Sequence, residues 1–222
     1  MAQFDESKHN RAQDGKFANK PHAEPVGVNL DAQTPTPYPN LSGGAQWRLP
    51  NGHLHRLDGP AWTNGRGDEY WAKNGELHRE GGPALVLANG GERWYDHGKL
   101  HRVGGPAITH PSGSQEWWVN GRRHRVDGPA VTGPGGHEEW WVNDERHRTG
   151  GPAIVLSDGS EGWYEHGRKH REGKPAITTS DGGEAWWVDG QPHRTGGPAI
   201  TFADGTKQWW INGVRQDSPT DN

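Results

Sequence analysis

The hydrophobic positions of this chain recur at a 23-residue interval, far longer than the two- or 3.6-residue period of a single strand or helix. One tryptophan series runs through Trp71, Trp94, Trp117, Trp140, Trp163, Trp186 and Trp209. A second aromatic series follows it by one residue, at Tyr95, Trp118, Trp141, Tyr164, Trp187 and Trp210, and Ala72 takes its place once. Aliphatic residues keep the same step at Leu85, Ile108, Val131, Ile154, Ile177 and Ile200. The polar positions are equally periodic: a His-Arg pair stands at His55-Arg56, His78-Arg79, His101-Arg102, His124-Arg125, His147-Arg148, His170-Arg171 and His193-Arg194. No insertion or deletion interrupts the series, so one supersecondary unit is repeated about seven times.

Two turn signals punctuate each unit. The first is Asn51-Gly52, Asn74-Gly75, His97-Gly98, Asn120-Gly121, Asn143-Asp144, His166-Gly167, Asp189-Gly190 and Asn212-Gly213, a chemistry that favours type I′ hairpins. The second is a glycine at 67, 90, 113, 136, 159, 182 and 205. Two turns in 23 residues leave room for two strands and no helix. The predicted fold is all-β: an elongated, twisted antiparallel meander of about seven β-hairpin repeats. Two-residue loops at both turns would set Trp117 opposite His124, Trp118 opposite Arg123, and Ile108 opposite Trp117. Opposed residues share a face. The invariant tryptophans, the histidines and the aliphatic series would then form the core face. The second aromatic series would point the other way, with the arginines and Thr109, Thr132, Thr178 and Thr201. The Gly-Pro-Ala after each His-Arg, as at Gly105-Pro106-Ala107, suits a bend between hairpins.

Composition changes the picture only at the ends. Residues 1–45 read as a disordered Pro-rich tail, 46–216 as the repeat domain and 217–222 as a disordered C-terminus. Thr34-Pro35-Thr36-Pro37-Tyr38-Pro39 is expected to be extended and unable to pack. Only 29% of the chain is hydrophobic, yet 13 tryptophans argue for order. A net charge of −4 with interspersed signs offers no basic face for nucleic acid. Cysteine is absent, which excludes disulfides and thiolate metal sites. No apolar run has the length of a membrane span or signal peptide, so the expectation is a cytoplasmic protein.

Trp117-Trp118-Val119-Asn120-Gly121 and its equivalents carry a W/Y-x-x-N-G signature. On it, residues 46–216 resemble the MORN repeat, in the variant found in bacterial antitoxin-like repeat proteins. Here His-Arg replaces the usual G-x-G of the second strand, and Gly-Pro-Ala is added. The resemblance implies a twisted sheet used for protein or lipid contact, and no catalysis. His9, Arg11, Gly15 and Phe17 fit a short leader, H-x-R-x-x-x-G-x-F, similar to one that precedes unrelated domains in actinobacterial phage and mobile-element proteins.

Ladder histidines two strands apart lie roughly 10 Å from one another, too far to share a zinc ion, so no metal or other cofactor is expected. They are expected to stack on a cross-strand tryptophan. The arginines are expected to form rungs with the carboxylates of Glu69, Glu92, Glu138, Glu161 and Glu184, or with Asp58, Glu80, Asp127 and Glu172 near them, or to grip a partner. No asymmetric Ser, His, Asp or Glu constellation stands out, so no catalytic residue is assigned. The candidate binding residues are Tyr95, Trp118, Trp141, Tyr164, Trp187 and Trp210, with Arg102, Arg125, Arg148 and Arg171. The expected partner is a protein, in an antitoxin, immunity or phage counter-defence setting. Carbohydrate is the alternative, and a homo-oligomer in which a second copy covers this face is a third arrangement.

Overall fold

The computed structural model describes residues 35–218. It is nearly all β, and one unit shows how the sequence builds it. Ile108–Thr109 pairs with Gln115–Glu116 in its own unit and with Glu92–Arg93 of the unit before. Gln115–Glu116 pairs onward with Val131–Thr132. Repetition of this step yields an elongated antiparallel meander of 17 strands, as the turn spacing predicts. At Trp117 the strand bends. Trp118–Val119 leaves the main sheet and pairs with Arg122–Arg123 in a small hairpin. Successive hairpins are tied together by the turn glycine, whose N–H donates to a carbonyl of the hairpin before, as Gly121 does to Leu100 at 2.8 Å. Among the described residues the one helical turn is a 3-10 segment at Pro134–Gly136.

The first turn has the expected geometry in most units. Asn120 and Gly121 have φ of 51° and 79°, the left-handed pair that a type I′ turn requires. Asn51-Gly52 departs from this. There Leu49 N–H donates to the carbonyl of His53, and only Gly52 takes a positive φ, so three residues fill the loop.

The second turn corrects the expected register. His110 N–H donates to the carbonyl of Ser114 at 2.8 Å, and Gly113 N–H donates back to that of His110 at 2.9 Å. Three residues, Pro111, Ser112 and Gly113, fill this loop, with Gly113 at φ 85°. A type I turn followed by a left-handed glycine is the standard three-residue hairpin. One residue more than expected slides the pairing by one, so Ile108 faces Glu116 and not Trp117. Because side chains alternate, such a slip exchanges the faces of a strand.

The core is rearranged accordingly. By this register Ala107 stands opposite Trp94 on one side and Trp117 on the other, and its carbonyl accepts the Trp94 N–H at 2.7 Å. Tryptophan and alanine therefore alternate across the sheet. Ala61, Ala84, Ala107, Ala130, Ala153, Ala176 and Ala199 are all 0% exposed. Large rings on both sides close over each methyl group. The aliphatic series shares the opposite face with the second aromatic series, as the surroundings of Gly162 show. A methyl group placed there would lie 2.6 Å from Ile154 Cγ2, 2.9 Å from Tyr164 Cε2 and 3.2 Å from Ile177 Cδ1. The expected core of Trp, His and Ile on one face is thus corrected: the invariant tryptophans keep alanine for company. Thr109 and Thr132, opposed to Gln115, lie on the tryptophan face and not with the second aromatic series.

Part of the expected tail is ordered. Thr36–Pro39 forms an edge strand on Ala45–Arg48 despite its prolines. Asn40 closes the turn between them, its Nδ2 reaching the carbonyl of Thr63 at 2.6 Å. Proline is tolerated at an edge because one side of such a strand needs no ladder donor. Residues 1–34 and 219–222, with the His9–Phe17 leader motif, lie outside the described residues.

Candidate functional site

Two aromatic columns run the length of the array, and each is interleaved with cations. In the first, the arginine of every His-Arg pair lies over a tryptophan ring, Trp47 for Arg56 and a member of the invariant series for the other six. Guanidinium-to-ring distances are 3.9 Å for Arg102 on Trp94, 4.2 Å for Arg125 on Trp117, 3.6 Å for Arg148 on Trp140 and 3.7 Å for Arg171 on Trp163. Each of these arginines also donates from Nη1 to the carbonyl of the proline four residues on: Pro106, Pro129, Pro152 and Pro175, at 3.0–3.1 Å. The glycine of Gly-Pro-Ala makes room for this, since a Cβ on Gly128 would meet Arg125 Cζ at 2.8 Å. Lys174 occupies that position in one unit without displacing Arg171 from its ring. These four arginines, assigned to a partner by sequence, are thus held by partners inside their own unit. The rungs expected with Glu69, Glu92, Glu138, Glu161 and Glu184 give way to this stacking, whereas those expected near Asp58 and Asp127 form. Where a carboxylate does pair, it is the aspartate two residues on, as in Arg56–Asp58 and Arg125–Asp127.

It is the arginine, and not the histidine, that covers the tryptophan. Each ladder histidine instead accepts at Nδ1 the backbone N–H of the first turn residue of the next hairpin. His101 accepts from Asn120 at 3.2 Å, His124 from Asn143 at 3.3 Å and His193 from Asn212 at 3.1 Å.

The second column differs in its cations. Arg123 lies 4.7 Å over Trp118 and 5.5 Å over Trp141, and Arg146 lies 4.7 Å over Trp141 and 5.6 Å over Tyr164. Lys169 sits 4.3 Å over Trp187. Each arginine therefore bridges the ring of its own hairpin and that of the next. Both are about one-third exposed, at 36% for Arg123 and 33% for Arg146, and the rings are half-buried.

Two central units add a carboxylate. Glu116 Oε2 accepts Trp118 Nε1 at 3.1 Å and Arg123 Nε at 3.2 Å, while its Oε1 pairs with His110 Nε2 at 3.0 Å. Glu139 repeats the pattern with Trp141 at 2.9 Å, Arg146 at 3.1 Å and His137 at 3.1 Å. Burial is the largest influence on the Glu116 carboxyl and raises its pKa. The bonds from His110 and Arg123 outweigh it, and the net shift is downward. At the same position other units carry Arg93, Gly162, Ala185 and Gln208. The sequence sets Trp118 opposite Arg123, which the structure bears out, but gives no functional role to Arg123, Arg146, Lys169 or Glu116. The departure of Glu116 and Glu139 from the repeat was the signal that could have found them.

No protein-family model matches the chain, and no curated protein matches it. The column itself must therefore carry any functional argument. Among the described residues no helix is long and apolar enough to cross a membrane.

Proposed function

We propose that this chain is a non-catalytic, cytoplasmic repeat scaffold that binds a protein partner along its second aromatic column. The observation that supports this is the bridging of Trp118, Trp141 and Tyr164 by the one-third-exposed Arg123 and Arg146. Tryptophan, tyrosine and arginine are the residues that dominate protein interfaces, and here they are pre-set by packing and ion pairs, which lowers the entropy lost on docking. Carbohydrate is the weaker reading, because sugars stack on open ring faces and guanidinium groups lie over these. An antitoxin, immunity or phage counter-defence role follows from the MORN-like resemblance and belongs to the same proposal.

The test is affinity capture from source-cell extract on immobilised full-length protein, followed by binding measurements with the purified partner. Trp141→Ala and Arg146→Ala should each weaken binding by at least tenfold, a loss of about 1.4 kcal/mol, and Thr132→Ala on the opposite face should not. Equal binding by all three variants, or retention of glycans lost with Trp141→Ala, would contradict the reading.

A further inference from the structure

The first turn residue carries a second, unassigned chemistry. Its side chain reaches the Nδ1 of the ladder histidine one unit before: Asn74 Oδ1 lies 2.9 Å from His55 Nδ1, and Asn143 Oδ1 lies 3.0 Å from His124 Nδ1. At two turns this residue is itself a histidine, His97 and His166. The rings are then brought together, with centroids 4.3 Å apart for His78 and His97 and 4.6 Å apart for His147 and His166. The residue before departs at the same two places, Asp96 and Glu165 standing where other units carry Val119, Val142 and Val188. A histidine and a carboxylate thus arrive together, twice. The spacing that keeps ladder histidines from sharing an ion does not apply to a turn histidine laid against one of them.

At the first of these turns the donors converge. Asp96 Oδ1 lies 2.6 Å from His97 Nδ1 and 3.1 Å from His78 Nδ1, and all three donor atoms fall within 4.8 Å of one another. Metal–ligand bonds of about 2.0–2.1 Å set tetrahedral donors roughly 3.3 Å apart, a spacing reached by side-chain rotations at this half-exposed turn in which His78 Nδ1 gives up the His97 N–H that it accepts at 3.3 Å. We propose that His78, Asp96 and His97 form a binding site for a divalent first-row transition ion such as Zn²⁺. Two imidazole nitrogens and one carboxylate oxygen favour such an ion over the all-oxygen sites of Ca²⁺ and Mg²⁺. His147 and His166 form a weaker copy, because the carboxylate nearest His166 Nδ1 is Glu145 at 4.0 Å. A bound ion would clamp one hairpin to the next.

The experiment is calorimetric titration of the full-length chain with ZnCl₂, alongside thermal melts. His97→Asn and Asp96→Val are the key variants, because each installs the residue that other units carry at that position and leaves the turn intact. The wild type should show one tighter and one weaker site, and zinc should raise its melting temperature. His97→Asn should weaken the tighter site by roughly 10–100-fold or more, the loss typical of damage to a metal site. Asp96→Val should weaken it in the same direction, and His166→Asn should leave it intact. Absence of zinc binding by the wild type, or a titration unchanged by His97→Asn, overturns the proposal; the second result would place the bound zinc on other histidines.

Discussion

The two aromatic columns are adjacent in sequence and opposite in role. Trp140 and Trp141 differ by one position, yet Trp140 faces Ala153 and lies under Arg148, whereas Trp141 bonds to Glu139 and shares Arg123 and Arg146 with its neighbours. The first column is closed within each unit, because its arginine is spent on its own ring and on the proline carbonyl four residues later. The second is open between units, with cations that reach from one hairpin to the next. The closed column tolerates no substitution in seven units, while the open one accepts Trp, Tyr and Ala. Chemistry that varies along an array while the frame stays fixed is where a repeat protein places recognition.

The comparison is broken most severely at Trp140. Trp140→Ala removes a ring from the Trp/Ala ladder and leaves Arg148 uncovered. Trp140 is half-buried like Trp141, so the expected loss, about 3 kcal/mol, is at the low end for large aromatics and reflects the buried alanines beside it. Because stability in a repeat array sums over units and interfaces, the melt should split near the middle of the chain. A single unshifted transition by scanning calorimetry would show that Trp140 carries little of the fold.

Ala130→Leu attacks the same ladder from its small side. Ala130 is 0% exposed between Trp117 and Trp140, so three further carbon atoms have no space and should cost roughly 1–3 kcal/mol. Urea denaturation measures this, and an unchanged midpoint would mean that the ladder is looser than described.

These two changes bear on what the sequence made legible. Period, turn positions and the type I′ hairpins follow from Asn-Gly chemistry and a constant 23-residue step. The faces do not, because Ser112-Gly113 or Asp158-Gly159 fits a two-residue or a three-residue loop equally well. Pro50, Pro111 and Pro134 were a usable hint, since proline favours the second position of a type I turn and so opens a three-residue loop. The alanine of Gly-Pro-Ala was a second hint. A residue kept that small in every unit marks a place where two large neighbours meet. The bridging by Arg123 and Arg146 was half legible. Hairpin register places Arg123 across from Trp118, but reaching Trp141 depends on how hairpins stack, which no local pattern encodes.

Trp141→Ala sharpens the contrast from the other side. The ring is half-buried and its loss should cost about 1 kcal/mol, with the main penalty falling on partner binding. Urea midpoints for Trp140→Ala and Trp141→Ala, compared side by side, check the order of the two columns.

The smallest expected effect is electrostatic. The Glu116 carboxyl is held below its ordinary value of 4.5, so its ionised form stabilises the fold above that pH, and the contribution is lost as the pH falls through the folded-state pKa. Glu116→Gln should therefore melt below wild type near neutral pH, and the gap should close on acidification below about pH 4. Melting curves of both proteins between pH 3 and 7 test the sign; a gap that widened in acid would contradict it. Partial exposure of Arg123 screens the pair, so the effect should be modest.

The central claim is that the three-residue loop puts the aliphatic series and the second aromatic column on one side of the sheet. Methyl-to-aromatic nuclear Overhauser effects at Gly162 test it most directly, because Ile154, Ile177 and Tyr164 all crowd that position. Cross-peaks from the Tyr164 ring to the Ile154 and Ile177 methyl groups, with none from the Trp163 ring to Ile154, are the predicted result. Strong Trp163-to-Ile154 cross-peaks in place of those from Tyr164 would show that the loop holds two residues and that the faces are reversed.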